Sequence, residues 1–237
     1  RDSSTSRGLG DVYKRQDYNR MKYGYSGDQL DPLVLLNPSE RANYQNGSEL
    51  DWQDIMFRNA LTTSHQISIS GGTEATTYMA SISHLREDGV MENTGLKRTN
   101  IALNITQVLN KWLTVGMGTQ AIQKEFGGEQ PYLEAGLKMS PYGIYKDEND
   151  RYVDYPMDQT LFYNPMANID ATNDKTNRNV FISTFAEIQF PIDGLSFRTN
   201  FGYNYRNNFV GSYYGRNTLS GKKVNGSASI ENIPVSY

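Results

Sequence analysis

The sequence predicts an all-β fold, an antiparallel meander of strands that forms part of a transmembrane β-barrel. Three observations carry that prediction. Successive segments alternate apolar and polar residues with period two, which puts one kind of side chain on each face of a strand. Gly71-Gly72-Thr73-Glu74, Leu109-Asn110-Lys111 and Pro191-Ile192-Asp193-Gly194 separate those segments as hairpin turns. The connections are also unequal, because these three are short while residues 126–178 make one very long connection. Short turns at one edge and long loops at the other are what outer-membrane barrels show on their periplasmic and extracellular sides.

Composition sets the bounds. The 237 residues are 37% hydrophobic with a mean hydropathy of -0.64, and the longest apolar run is residues 33–36. No window approaches the roughly 18 apolar residues of a transmembrane helix. Hydropathy is silent on strands, whose membrane spans are short and alternating. The 17 Tyr, 9 Phe and 21 Gly suit strands, turns and an aromatic girdle. Without cysteine there is neither disulfide nor thiolate metal site. A net charge of -3 with no long basic run gives no footprint for nucleic acid, and no cofactor motif stands out.

The elements follow in order. Residues 6–16, Ser-Arg-Gly-Leu-Gly-Asp-Val-Tyr-Lys-Arg-Gln, look like the translation of a transposase adaptor from a sequencing library, so residues 1–16 are expected to be an artefact. There is no initiator Met or signal peptide, and the native N-terminus is expected to lie outside this sequence. Residues 17–63 read as an extracellular loop with short helices, one starting at Pro38-Ser39-Glu40 and an amphipathic one over residues 50–61. From residue 64 the period is two. Ile67 and Ile69 alternate with Gln66, Ser68 and Ser70, and residues 76–85 form the return strand. Ile101, Leu103 and Ile105 alternate with polar or small residues, as do Leu113, Val115 and Met117. After the long connection, Val180, Ile182, Ala186 and Ile188 oppose Phe181, Ser183, Phe185 and Glu187. Phe197, Phe201, Tyr203 and Tyr205 oppose Arg198, Asn200, Gly202 and Asn204. About seven strands result, assigned to residues 64–237.

Alternation by itself leaves two architectures open. A soluble sandwich turns the apolar face inward against a second sheet, and a membrane barrel turns it outward to lipid. The order of short and long connections favours the barrel.

Asp51-Trp52-Gln53-Asp54, then Phe57-Arg58, then the stretch from His65 to Glu74 resemble the SusC/RagA-type TonB-dependent receptors. Glu87-Asp88-Gly89-Val90, Asn93-Thr94-Gly95, Asn110-Lys111-Trp112-Leu113 and Phe197-Arg198-Thr199-Asn200-Phe201-Gly202 support the likeness. The resemblance implies a barrel of about 22 strands in the bacterial outer membrane, occluded by an N-terminal plug. It also implies energy from TonB through that plug, a SusD-like lipoprotein lid, surrounding outer-membrane lipid, and import of glycan or peptide nutrients. Nothing here resembles the plug or a TonB box, which with the remaining strands are expected to lie outside this sequence.

No enzyme is expected. His65 and His84 flank a turn without a companion carboxylate or thiolate at a recognisable spacing, and neither a G-x-S-x-G nor an H-E-x-x-H motif occurs. A barrel lipase therefore lacks its nucleophile and base. Asp147, Glu148, Asn149, Asp150 and Asp154 do not fit an EF-hand, which needs Gly where Tyr152 stands and Glu where Asp158 stands; they read as an acidic hairpin turn. The expected ligand- or lid-contacting residues are the aromatics of the long connection: Tyr132, Tyr142, Tyr145, Tyr152, Tyr155, Phe162 and Tyr163. Aromatic faces stack on sugars and anchor protein partners. Tyr142 and Tyr145, either side of Gly143, are the first choices, against the plainer reading that these rings form the loop's own core. The competing functional class is a soluble β-sandwich that binds carbohydrate.

Overall fold

The computed structural model describes residues 36–237. Two helices come first, α1 (Pro38–Asn46) and α2 (Trp52–Met56). The strands are β1 (Thr62–Gly72), β2 (Thr76–Asp88), β3 (Gly95–Asn110), β4 (Leu113–Gly127), β5 (Thr172–Gln189), β6 (Ser196–Tyr214) and β7 (Ser227–Ser236). Helix α3 (Leu133–Lys138) lies between β4 and β5, and α4 (Leu219–Lys222) between β6 and β7. The seven strands form one sheet in chain order, every neighbouring pair antiparallel. The meander read from the sequence is the observed topology, and its three short turns all fall on one edge.

Register turns the alternation into two faces. Residues paired directly across strands share a face, so Ile67, Ile82, Ile101, Ala121, Val180 and Tyr205 make one continuous row. Toward the short turns the rows on this face continue through Leu103, Ile182 and Tyr203 to Leu113, Ile188 and Phe197. The apolar band occupies residues 180–188 of β5 and 197–205 of β6, paired end to end. That is about the 9–11 residues of a tilted membrane crossing. No second sheet covers it within the described residues: Ile67 is 73% exposed and Phe201 65%. The opposite face carries Gln66, Ser83, Asn100, Asn179 and Arg206 along one row, with Ile122 between Asn100 and Asn179.

Two boundaries differ from the sequence reading. Strand β5 begins at Thr172, so the long connection is residues 128–171, not 126–178. Thr172 to Arg178 are almost wholly polar and show no alternation, yet all of them pair with β6, and Lys175 to Arg178 pair with β4 as well. Hydrogen bonds to two ready-made partners hold a strand that its own pattern does not announce. The helix expected over residues 50–61 is only the five residues of α2; Phe57 is extended (φ -117°, ψ 150°) and the chain then leads into β1. The helix start at Pro38 is as expected: Asn37 and Glu40 form a capping box, with Pro38 in the first turn. The adaptor-like residues 1–16, and 17–35 after them, lie outside the described residues.

The chain forms two compact units. One is the sheet with its turns, residues 59–129 and 171–237; the other joins residues 36–58 with residues 130–170. The linear division at residue 64 did not anticipate that these two stretches pack together.

Candidate binding surface of the loop unit

The loop unit is built on the residues that carry the family resemblance. Asp51 caps α2, its carboxylate accepting from the Gln53 N–H at 2.8 Å and the Asp54 N–H at 3.4 Å. This cap directs Trp52 and Met56 inward, where they meet Met139, Met166 and Ile169. The Trp52 indole Nε1 donates to the Ser140 carbonyl at 2.8 Å, tying two segments 88 residues apart. Met56 packs so closely on Gly136 that a Cβ there would lie 2.2 Å from its methyl carbon. Asn164, 1% exposed, fastens the rest: its Nδ2 donates to the Tyr145 and Val153 carbonyls at 3.0 and 2.9 Å, and its Oδ1 accepts from Met166 N–H at 2.9 Å.

The seven aromatic candidates divide on this frame. Tyr142, 3% exposed, is buried, edge-on to Tyr44 with centroids 5.2 Å apart. Tyr145, Tyr152 and Phe162 pack against the Trp52 cluster, Tyr145 edge-on to Trp52 at 5.9 Å. These four serve the loop's own core, and the pair chosen first from sequence belongs to it. Tyr155 is half-buried. Tyr132 is 47% exposed and stacks on Tyr163, with centroids 5.4 Å apart and planes 22° from parallel. Its hydroxyl donates to Glu134, which also holds Lys138. That carboxylate, with Tyr163 beside it, pushes the Tyr132 hydroxyl up to about 12, so it stays a neutral donor through the physiological range. Leu133 and Leu137, one helical turn apart on α3, are exposed near this pair in sequence, and so is Leu161.

The polar candidates have structural work. Lys146 bridges to Tyr152 across an antiparallel turn, and the Asp147 carboxylate accepts from the Asn149 and Arg151 N–H groups, both at 2.9 Å. Those bonds, the Arg151 one first, hold its carboxyl below the usual range. The acidic hairpin is as read. His65 and His84 are direct cross-strand partners, and His84 Nδ1 is 3.0 Å from Thr99 Oγ1. Among the described residues no three His, Cys, Asp or Glu gather as a metal site would need.

Sequence comparison extends this geometry. The chain is 27% identical over 214 residues to TonB-dependent receptor P3 of Formosa agariphila, covering 85% of this chain and 21% of that protein. It is 24% identical over 158 residues to TonB-dependent receptor SusC of Bacteroides thetaiotaomicron, covering 56% and 16%. In fold it matches the RagAB peptide importer in its open-open state, with a TM-score of 0.63 and 23% identity over 86% of this chain and 26% of that one. No family profile matches. In sequence the chain is similar to TonB-dependent receptors, SusC among them, and in fold it is similar to a stretch of the RagAB importer. The chain spans about a fifth of the length of the curated relatives it matches.

Proposed function

We propose that this chain is a section of an outer-membrane importer that takes up glycan or peptide nutrients beneath a SusD-like lipoprotein, energised by TonB through a plug. The observation that carries the reading is the apolar band: nine residues tall, uncovered within the described residues, backed by a polar face and bordered by short turns on one edge. Burying such a band costs nothing in lipid, while exposing it to water is unfavourable by about 25 cal/mol per Å2. The polar face then lines the lumen, and the connection of residues 128–171 leaves the sheet at the edge opposite the short turns, the extracellular one. There Tyr132, exposed and stacked on the half-buried Tyr163, is the part of the aromatic set open to a ligand or the lid.

The test uses the complete receptor in its native host. An epitope inserted after Leu161 is expected to be labelled on intact cells, and deletion of the receptor to abolish growth on one glycan or peptide source. An epitope reachable only after the outer membrane is opened would reverse the orientation, and unimpaired uptake of every such nutrient would remove the transport role.

A further inference from the structure

The polar face of the sheet is chemically unfinished. On it Arg98 of β3 stands directly across from Lys124 of β4, Lys124 from Asn177 of β5, and Asn177 from Asn208 of β6. One row nearer the short turns, Asn179 is paired with Arg206. Two cations directly opposite each other destabilise a strand pair. None of Arg98, Lys124 and Arg206 forms an ion pair among the described residues. The Glu87 carboxylate stands one row nearer the long loops, opposite Leu96.

Hydrogen bonding is incomplete in the same place. Arg98 Nε and the amide oxygens of Asn177, Asn179 and Asn204 are shut off from solvent without a partner, and Asn204 Nδ2 is already committed to the Tyr237 hydroxyl at 2.8 Å. Unpaired buried polar atoms are costly, and each states its complement. The guanidinium needs an acceptor, best an anion; the three amide oxygens need donors. Phe181, 44% exposed, lies on this face between Gln120 and Asn204.

The geometry points to a lumenal patch for an acidic oligosaccharide, an inference that rests on the orientation proposed above. Sugar carboxylates or sulfates lie between Arg98 and Lys124, with Arg206 beyond, and Phe181 offers a face for a ring. The row from β3 to β6 is three strand spacings, about 14 Å, long enough for several sugar units. An acidic peptide such as oligoglutamate meets the cations equally well, but it has no ring to lay on the exposed Phe181 face, whereas a sugar does.

The experiment presents the complete receptor with its lipoprotein to an array of acidic glycans (oligogalacturonates and sulfated galactans), neutral galactans and oligoglutamate peptides. Acidic glycans are expected to be retained at least tenfold more tightly than neutral ones. The variant R98Q/K124Q/R206Q is expected to lose at least tenfold of that affinity, and R98K/K124R/R206K, which keeps the charges, to stay within threefold, with both inserted in the membrane at normal levels. Retention of neutral glycans or peptides without acidic glycans overturns the patch and leaves the importer reading intact, as does undiminished acidic-glycan binding by the Gln variant. An array that retains no acidic glycan overturns it whatever the uptake assay gives. Failure of the Gln variant to insert, with the Lys/Arg variant inserted but binding acidic glycans tenfold less tightly, assigns the three residues to folding and also overturns it.

Discussion

Gly116 of β4 lies directly across from Phe185 of β5, so close that a Cβ at position 116 would stand 2.1 Å from the ring. The ring fills the space that glycine leaves, and Arg198 of β6 covers its other side with the guanidinium 4.0 Å from the centroid. Gly116→Ala is therefore expected to destabilise the complete receptor by about 1–3 kcal/mol through overpacking, read as a lower denaturant midpoint in detergent. Phe185→Leu in the same chain should restore part of the loss; equal midpoints for wild type and Gly116→Ala would show that the ring yields freely.

In the proposed orientation the apolar face meets lipid. Ile182 sits mid-band, between Thr119 and Tyr203, and Ser183 beside it points to the other face. Arginine at a bilayer midplane costs about 2–4 kcal/mol, so Ile182→Arg should cut the amount of folded receptor in the membrane while Ser183→Arg leaves it near normal. The reverse order would put the apolar face inside, as in a sandwich.

In the loop unit Asn164 is a single residue holding three backbone groups. Asn164→Ala takes the partner from the Val153 carbonyl and the Met166 N–H, at about 1–3 kcal/mol for each group left unpaired, while the Tyr145 carbonyl keeps the Val153 N–H. Limited proteolysis of the variant receptor should cut within residues 130–170 well before the wild type, with the strands still protected. An unchanged cleavage pattern would mean that the Trp52 cluster alone holds the unit.

The aromatic residues can be separated by what their loss affects. Tyr142→Ala removes a buried ring and is expected to loosen the loop unit by about 3–5 kcal/mol, the range for large aromatic truncations in a core, seen as protease sensitivity. Tyr132→Ala and Tyr163→Ala should leave protease resistance intact and weaken ligand or lipoprotein binding, by about 1–4 kcal/mol if the stack is central to the contact. Normal binding of both single variants would take the stack out of the contact surface.

Much of the sheet was legible because a hairpin is a local object. Pro191 to Gly194 turns the chain and the alternation on either side fixes the register, so β5 and β6 could be paired before any coordinates were seen. The likeness to TonB-dependent receptors was also legible in the sequence, since the Asp51-Trp52 and His65 to Glu74 segments carry it. Tertiary structure decided what depends on distant partners. Thr172 to Arg178 became strand because β6 pairs with all of them and β4 with Lys175 to Arg178, and the Trp52 indole found Ser140 across 88 residues. Tyr142 and Tyr132 look alike in sequence, ten residues apart in one loop, yet one is core and the other surface. Burial is set by which segment packs on a ring, and the segment that packs there, residues 36–58, comes from before the first strand. The Arg98–Lys124 juxtaposition was equally hidden, because a cross-strand neighbour exists only once the register is made.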